Sequence, residues 1–495
     1  MNPQEFDAVV VGAGFGGIGA AIQLRRLGYE NFVIIERESD LGGTWLVNHY
    51  PGLAVDVPTT TYSYSFEPNP NWSRLYSTGT EIKQYADDVA DKYDVRRHMR
   101  FNTTVGSADW DEDAKVWRIA LAGGDTITAR ILIAATGILS QPRLPAIPGI
   151  ADFAGKIVHT ADWDDTYDAA GRRIAVIGTG ATAVQLVPEL AEVAADLTVY
   201  QRTATWVVPK IDFRFGDAAK RLFRRFPLTQ RAIRAITDAI YELIIYTGLN
   251  HRQFLFRRLN ISATDLAKML RFASVRDKKL RDRLTPDYDL GCKRPTFSNS
   301  YYRVFTKRHV HLQDSGIDHI EADGIVSKDG TKNVIDTLVL ATGFDLWEAN
   351  FPAFEVVGRR GRNLGKWWRE TRFQAYQGVS IPHFPNYLSL AGPYGFLGLN
   401  FFNTVDYQMR HMDRLLGEMK RRGADTFEVT DEANARYLDR MTDLIGDSVF
   451  AIGNCATSNS YYFNPSGEAT LLRPTSIRVG IKEASQFPLN DYQFS

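Results

Sequence analysis

"FDAVVVGAGFGGIGAAIQLRRLGYENFVIIERE", residues 6–38, decides the fold. A run of β-branched residues meets Gly12, Gly14 and Gly17, opens into an Ala/Leu-rich helical stretch, and closes on a second apolar run that ends at Glu36. This is one βαβ unit with GxGxxG in its first turn. GxGxxG alone is a weak signal, but here it follows a strand directly, opens a helix, and precedes an acid 19 residues beyond Gly17. The glycines let a pyrophosphate approach the backbone where unpaired N–H groups at the helix start favour negative charge. Glu36 is placed to accept hydrogen bonds from a ribose diol. The same carboxylate would repel the extra phosphate of NADP, which leaves FAD or NAD. A tight turn with no ligand is the alternative, and the spacing disfavours it.

"RRIAVIGTGATAVQLVPELAEVAADLTVYQRT", residues 172–203, repeats the pattern with Gly178, Gly180 and Ala183 as GxGxxA. Its second strand ends at Gln201 and Arg202, where an NAD site would carry an acid. A guanidinium fork matches a phosphate monoester, so the 2′-phosphate of NADP is the expected ligand. Thr179, Ala181 and Thr182 in the turn, and Thr203 beside the arginine, complete the expected set on this strand–turn–helix. "GGTW" (42–45) is similar to the FAD-proximal turn of flavoproteins with two dinucleotide sites, which assigns the first site to FAD and the second to NADPH. Phe15, Gly43, Thr44, Trp45, Asp56, Tyr62 and Val105 are the further residues expected at FAD. "AATG" (134–137) and "LATG" (340–343) resemble the segments where such chains cross between their two domains.

The composition narrows the partners. In 495 residues, 58 basic and 58 acidic side chains cancel, so no global field attracts nucleic acid. Only Cys292 and Cys455 occur, too far apart for a CxxC redox or metal pair, and no metal site is expected. A reduced, cytoplasmic setting is the expectation. The amino terminus shows no targeting pattern. "AIYELIIYTGL" (239–249) contains Glu242 and falls short of the roughly 20 residues a membrane span needs, so integral membrane association is not expected.

The expected architecture is α/β, with two dinucleotide-binding Rossmann-type domains and a helical insertion. Residues 1–145 read as the first part of the FAD domain and 146–210 as the first part of the NADPH domain. Residues 211–290 lose strand alternation and read as helices; 291–344 return to the NADPH domain, and 345–495 to the FAD domain. The tail includes one amphipathic helix (404–422). The insertion holds Lys220, Arg221, Arg224, Arg225, Arg231, Arg234, Arg252, Arg257, Arg258, Lys268 and Arg271 against Asp238, Glu242 and Asp265. Solvated helix faces covering the NADPH domain are the favoured reading; with "FLF" and "LII" interleaved, peripheral contact with a membrane surface is the other.

"FAGKIVHTADWDD", residues 153–165, reads cleanly as neither helix nor strand, yet carries Phe153, Gly155, His159, Trp163 and Asp164 at set offsets. This FxGxxxHxxxW pattern is the fingerprint of the Baeyer–Villiger monooxygenases, and the chain resembles that family over most of its length, less so after about residue 345. The resemblance implies an enzyme that uses FAD, NADPH and molecular oxygen to insert one oxygen atom into a ketone, giving an ester or lactone. Related flavin monooxygenases that oxidise nitrogen or sulfur are the alternative, and they typically lack the tryptophan. A reductase or electron carrier would need a CxxC pair or a docking patch, and a non-enzymatic protein would need vestigial sites. His159 reads either as a coupler of domain rotation to cofactor position or as a satisfied structural histidine.

Negative charge developing in such a reaction calls for a fixed cation and an acid to hold it. "LGCKRP" (290–295) resembles the family segment with that cation, which implies Arg294, with Lys293 beside it at the NADP phosphate. "YPGLAVDVPTTTY" (50–62) resembles the segment supplying the acid, Asp56. A guanidinium suits the role because it does not lose its proton. The chain departs from the family at Ala54 and Val55, where an Arg-Cys pair is common, and at Leu46 and Val47, where aromatics are usual. A roomier, more apolar pocket near the flavin is therefore expected. "NCATSNSYYFNPSGEA" (454–469) resembles a carboxy-terminal segment of some members, with Tyr461, Tyr462 and Phe463 as candidate pocket residues.

Overall fold

The computed structural model describes residues 4–249, 254–398 and 400–495, with the side chains of 244–262 also outside the description. The first strand, Gln4–Val11, pairs in parallel with Phe32–Ile35 on one side and Thr126–Ala134 on the other. A parallel strand covered on both faces must be apolar on both, which is why 8–11 reads as a continuous run. Ala8 and Val10 enter one core, Val9 and Val11 the opposite one. The sheet has eight strands. Two of them come from the tail: Glu355–Val357 pairs with Val105–Asp111, and Tyr387–Ser389 lies parallel to residues 132–134.

The tail also packs on the first helix, Phe15–Arg26. A Cβ at Gly19 would stand 2.7 Å from Val405 of the tail helix Phe401–Arg422, so glycine admits the close approach. The rings of Phe15 and Phe402 meet at 4.6 Å. Deeper in the tail, Arg473 is 1% exposed and donates to Tyr407 (2.7 Å), Gln377 (2.9 Å) and Tyr437 (3.1 Å), with Glu483 as its counter-ion. A buried charge with this many partners fixes one packing of the segment.

The second sheet has five parallel strands in the order Val310–Gln313, Asp196–Tyr200, Arg173–Ile177, Thr337–Leu340, Lys156–His159. Ile174 and Val176 face the helix Ala181–Val193, while Ala175 faces a smaller core under an antiparallel sheet of Ile317–Glu321, Gly324–Ser327 and Lys332–Val334. The fingerprint segment is no linker. Its middle, Lys156–His159, is the edge strand of this sheet, paired with Thr337–Leu340. Phe153 is buried in the smaller core, and a Cβ at Gly155 would meet Asp336 O and the Phe153 ring, each at 2.5 Å. Trp163 is buried against Tyr167, and Asp164 pairs with Lys156. Four residues between a glycine and a turn are too few to show alternation.

Between the paired strands Val207–Val208 and Thr296–Phe297 lie the helices Asp217–Arg225, Pro227–Leu249, Phe254–Ser274 and Lys278–Arg283. Their basic residues are not all solvated. Arg234 is buried and donates to Ser63 O at 2.7 Å, and Arg271 is buried beneath the Trp206 ring. Arg252 lies outside the described residues, as do the side chains of Arg257 and Arg258. A larger correction concerns the cysteines: Cys292 and Cys455 form a disulfide with Cα atoms 5.2 Å apart. The expectation of a reduced pair came from sequence distance, which the fold removes. No described helix is long and apolar enough to cross a membrane.

Candidate active site between the two sheets

Backbone crowding explains the glycines of the first turn. Gly12 has φ +107°, and a Cβ there would stand 2.6 Å from Ala135 O; at Gly17 it would stand 1.8 Å from Gly12 O. No side chain caps the helix that starts after Gly14. Its amide donors are therefore available to an anion. Glu36, 7% exposed, accepts from Ala13 N at 2.6 Å and from Glu38 N at 3.0 Å and lines the same cleft. Gly43 sits against Gly14, and Thr44 and Trp45 begin the short helix Thr44–Val47. Trp45 Nε1 donates to Tyr62 Oη at 2.9 Å, and burial lifts the Tyr62 phenol above its usual range, so it stays neutral. Phe15, Tyr62 and Val105 also line the cleft, while Gly17 is buried behind it.

The second turn repeats the geometry. Gly178 has φ +122°, a Cβ there would stand 2.3 Å from Ala341 O, and no side chain caps the helix after Gly180. Thr179 Oγ1 donates to Thr203 O at 2.7 Å. Ala181 and Thr182 line the cleft; Ala183 is buried in the helix core. Arg202 and Lys293 line it together, and burial followed by the charge of Arg202 depresses the Lys293 ammonium. Among the described residues no carboxylate pairs with either. Two like charges facing one cleft without a counter-ion fit an anionic group such as a phosphate. Gln201 also borders the cleft, its amide donating to Arg283 O at 2.7 Å.

Arg294 and Asp56 meet as a two-pronged pair, Nε to Oδ2 at 2.6 Å and Nη2 to Oδ1 at 2.7 Å. Burial pulls the guanidinium pKa down, but the Asp56 carboxylate outweighs it and the net shift is upward. The cation is therefore permanent. Arg294 keeps 20% of its side chain exposed, on the cleft. Tyr461 and Phe463 line the cleft beside it, while Tyr462 is buried against Phe450. One cleft of about 1350 Å³ contains both glycine turns, Glu36, Arg202 and the Asp56–Arg294 pair.

His159 stands outside this cleft. Its Nδ1 accepts from Ala161 N at 3.1 Å, and its Nε2 lies 3.4 Å from Thr342 Oγ1, which itself donates to Arg143 O. The ring therefore touches the second crossing segment at Thr342, beside the Arg143 backbone, and burial lowers its pKa, keeping it neutral. Of the departures from the family pattern, Val47 and Ala54 line the cleft. Leu46 does not, and Val55 is 1% exposed in the core beneath. Only part of the expected widening is therefore available.

Three residues escaped the sequence reading. Gln185, on the helix Ala181–Val193, donates to Ala54 O at 2.9 Å and accepts from Tyr50 Oη at 3.0 Å. Asn459 donates to Thr203 Oγ1 at 2.8 Å. A glutamine on a helix and an asparagine in a loop read as solvated, and nothing local distinguishes these two or Tyr50.

Two mononucleotide-type turns opening on one cleft, one with a buried acid and one with unpaired cations, define a flavoprotein with two dinucleotide sites. The sequence model of the pyridine nucleotide-disulphide oxidoreductase family matches residues 6–240. A Baeyer–Villiger monooxygenase of Streptomyces coelicolor is 36% identical over 98% of this chain and 92% of its own. Among solved structures, an oxidised steroid monooxygenase bound to NADP is 30% identical, with a TM-score of 0.86 over 99% of both chains. A closed cyclohexanone monooxygenase is 27% identical, with a TM-score of 0.87 over 100% of both. The chain belongs to the Baeyer–Villiger monooxygenase family and is an FAD- and NADPH-dependent monooxygenase.

Proposed function

We propose that the chain converts an apolar ketone to an ester or lactone at the cleft beside Arg294. The overall reaction takes ketone, O2, NADPH and a proton to ester, NADP+ and water. The glycine turn at 12–17, Glu36, Gly43, Thr44, Trp45, Tyr62 and Val105 hold FAD. The turn at 178–183, Arg202, Thr203 and Lys293 hold NADPH. When bound, the two cofactors supply hydride transfer and the activation of oxygen. Within the chain, residues 1–145 and 345–495 form the flavin unit, 146–210 and 291–344 the NADPH unit, and 211–290 the insertion.

What carries this reading is the Asp56–Arg294 fork. Arg294 stabilises negative charge where the reacting oxygen meets the carbonyl carbon, and Asp56 fixes the plane and position of the guanidinium. Tyr461 and Phe463 exclude water, which strengthens the electrostatics. His159 is a positioning residue that holds the second crossing segment at Thr342 against the backbone of Arg143. The experiment is aerobic NADPH consumption across a panel of linear, cyclic, aromatic and steroidal ketones, with mass spectrometry of the products. Esters or lactones are expected. N-oxides or sulfoxides formed from amine or sulfide controls, with every ketone left unchanged, would contradict it.

A further inference from the structure

The insertion carries a surface that the ketone chemistry does not use. Of the eighteen exposed large hydrophobic side chains among the described residues, twelve lie between 211 and 272, so apolar exposure is concentrated on the insertion. On the helix Pro227–Leu249, Ile233, Ile236, Ile240 and Leu243 recur at steps of three and four and are 37–62% exposed, with exposed alanines between them. That spacing is one helix face, and it points to solvent. Leu266, Met269 and Phe272 form a second exposed stripe on Phe254–Ser274, the helix packed beside it. Exposed apolar stripes on two neighbouring helices mark an interaction site.

The charges around it select the partner. Arg221, Arg224, Arg225, Arg231 and Lys268 are exposed, and from 211 to 272 Asp217 and Asp265 are the exposed carboxylates among the described residues, so the exposed charge is net basic. A two-fold contact between copies of this face would set arginine against arginine. An anionic bilayer offers both what the stripe needs and what the rim needs. We propose that the helices of the insertion dock the enzyme, lying in the plane of the interface, on membranes containing anionic phospholipid. Anchoring is peripheral, since no described helix can span.

The same helix packs on the protein through its other side. Tyr241 packs inward against the flavin-side core, and burial and then the neighbouring Tyr76 raise the pKa of its phenol. Docking itself does not depend on the functional reading above.

Sedimentation of the holoenzyme with phosphatidylcholine vesicles, with and without phosphatidylglycerol, tests the proposal. Binding to the anionic vesicles should be about tenfold tighter or more, and should weaken with salt. The double variant Ile236→Asp/Ile240→Asp should lose vesicle binding while its flavin content and NADPH oxidation stay unchanged. Arg224→Glu/Arg225→Glu should reduce the preference for anionic lipid. Equal binding to both vesicle types, binding to neither, or a dimer that the aspartate variants dissociate would overturn it.

Discussion

Arg294 and Asp56 are 238 residues apart in the chain and 2.6 Å apart in space. Removing either member would strand a partly buried charge, so neither is replaceable by a merely polar residue. Lysine at 294 would keep the charge and lose the fork. Arg202 and Lys293 show the opposite condition, cations that pair with no carboxylate among the described residues. Arg202→Ala should raise KM for NADPH roughly 10- to 100-fold, the loss of one or two charge-assisted hydrogen bonds, and leave NADH nearly unchanged. Steady-state kinetics with both nucleotides measures this; equal loss for both would mean that Arg202 does not read the phosphate. The polarity of Glu36 and Arg202 was readable in the sequence because each ends the strand after its own glycine turn, a purely local relation. The Asp56–Arg294 pair was reached only through family resemblance, since no local pattern joins two residues so distant.

The helix Ala181–Val193 performs two tasks at the scale of the element. Its uncapped start faces the second nucleotide site, and one turn later Gln185 grips the backbone of Ala54, two residues before Asp56. A Cβ at Gly52 would stand 2.8 Å from Gln185 O, so the loop lies directly on the helix. The helix that starts at the second glycine turn thus touches the loop that carries Asp56, the partner of Arg294. Gln185→Ala should retain FAD and leave KM for NADPH within about threefold, yet divert turnover from ester toward hydrogen peroxide, because a lost positioning contact costs geometry more than binding. Unchanged coupling would limit Gln185 to packing. The start of this helix was evident from GxGxxA, whereas its grip on Ala54 is tertiary and left no trace in periodicity. The fingerprint strand Lys156–His159 was missed for a related reason: its identity comes from its partner Thr337–Leu340, not from its own four residues.

At the scale of the whole molecule, the tail closes the flavin sheet and buries its own ionisable groups. His411 is fully buried, stacked on Phe487 and bonded to Tyr492 Oη, with Arg473 and Arg414 nearby. Burial first, and then these two cations, lower its pKa to about 3 from 6.5. The unfolded chain takes up a proton below pH 6.5 that the folded chain refuses. Stability is thus full above that pH and falls on acidification, by about 1.4 kcal/mol per pH unit from this residue. Denaturant unfolding of His411→Phe between pH 7 and pH 5 should show a shallower pH dependence than wild type by that slope; parallel curves would contradict the assignment. The return of strands after residue 345 was a sequence expectation, but the disulfide and the outward apolar stripe were not, because both arise from which faces the assembled units cover. The Asp56–Arg294 pair too exists only in the assembled chain, since its members lie 238 residues apart in sequence. The most direct test is Arg294→Ala, assayed for bound FAD, for reduction by NADPH, and for ester formed against hydrogen peroxide released. The account predicts that FAD and its reduction are retained, that ester formation falls roughly 100- to 1,000-fold, and that peroxide takes its place. A variant with normal ester yield would contradict it and move the catalytic cation elsewhere.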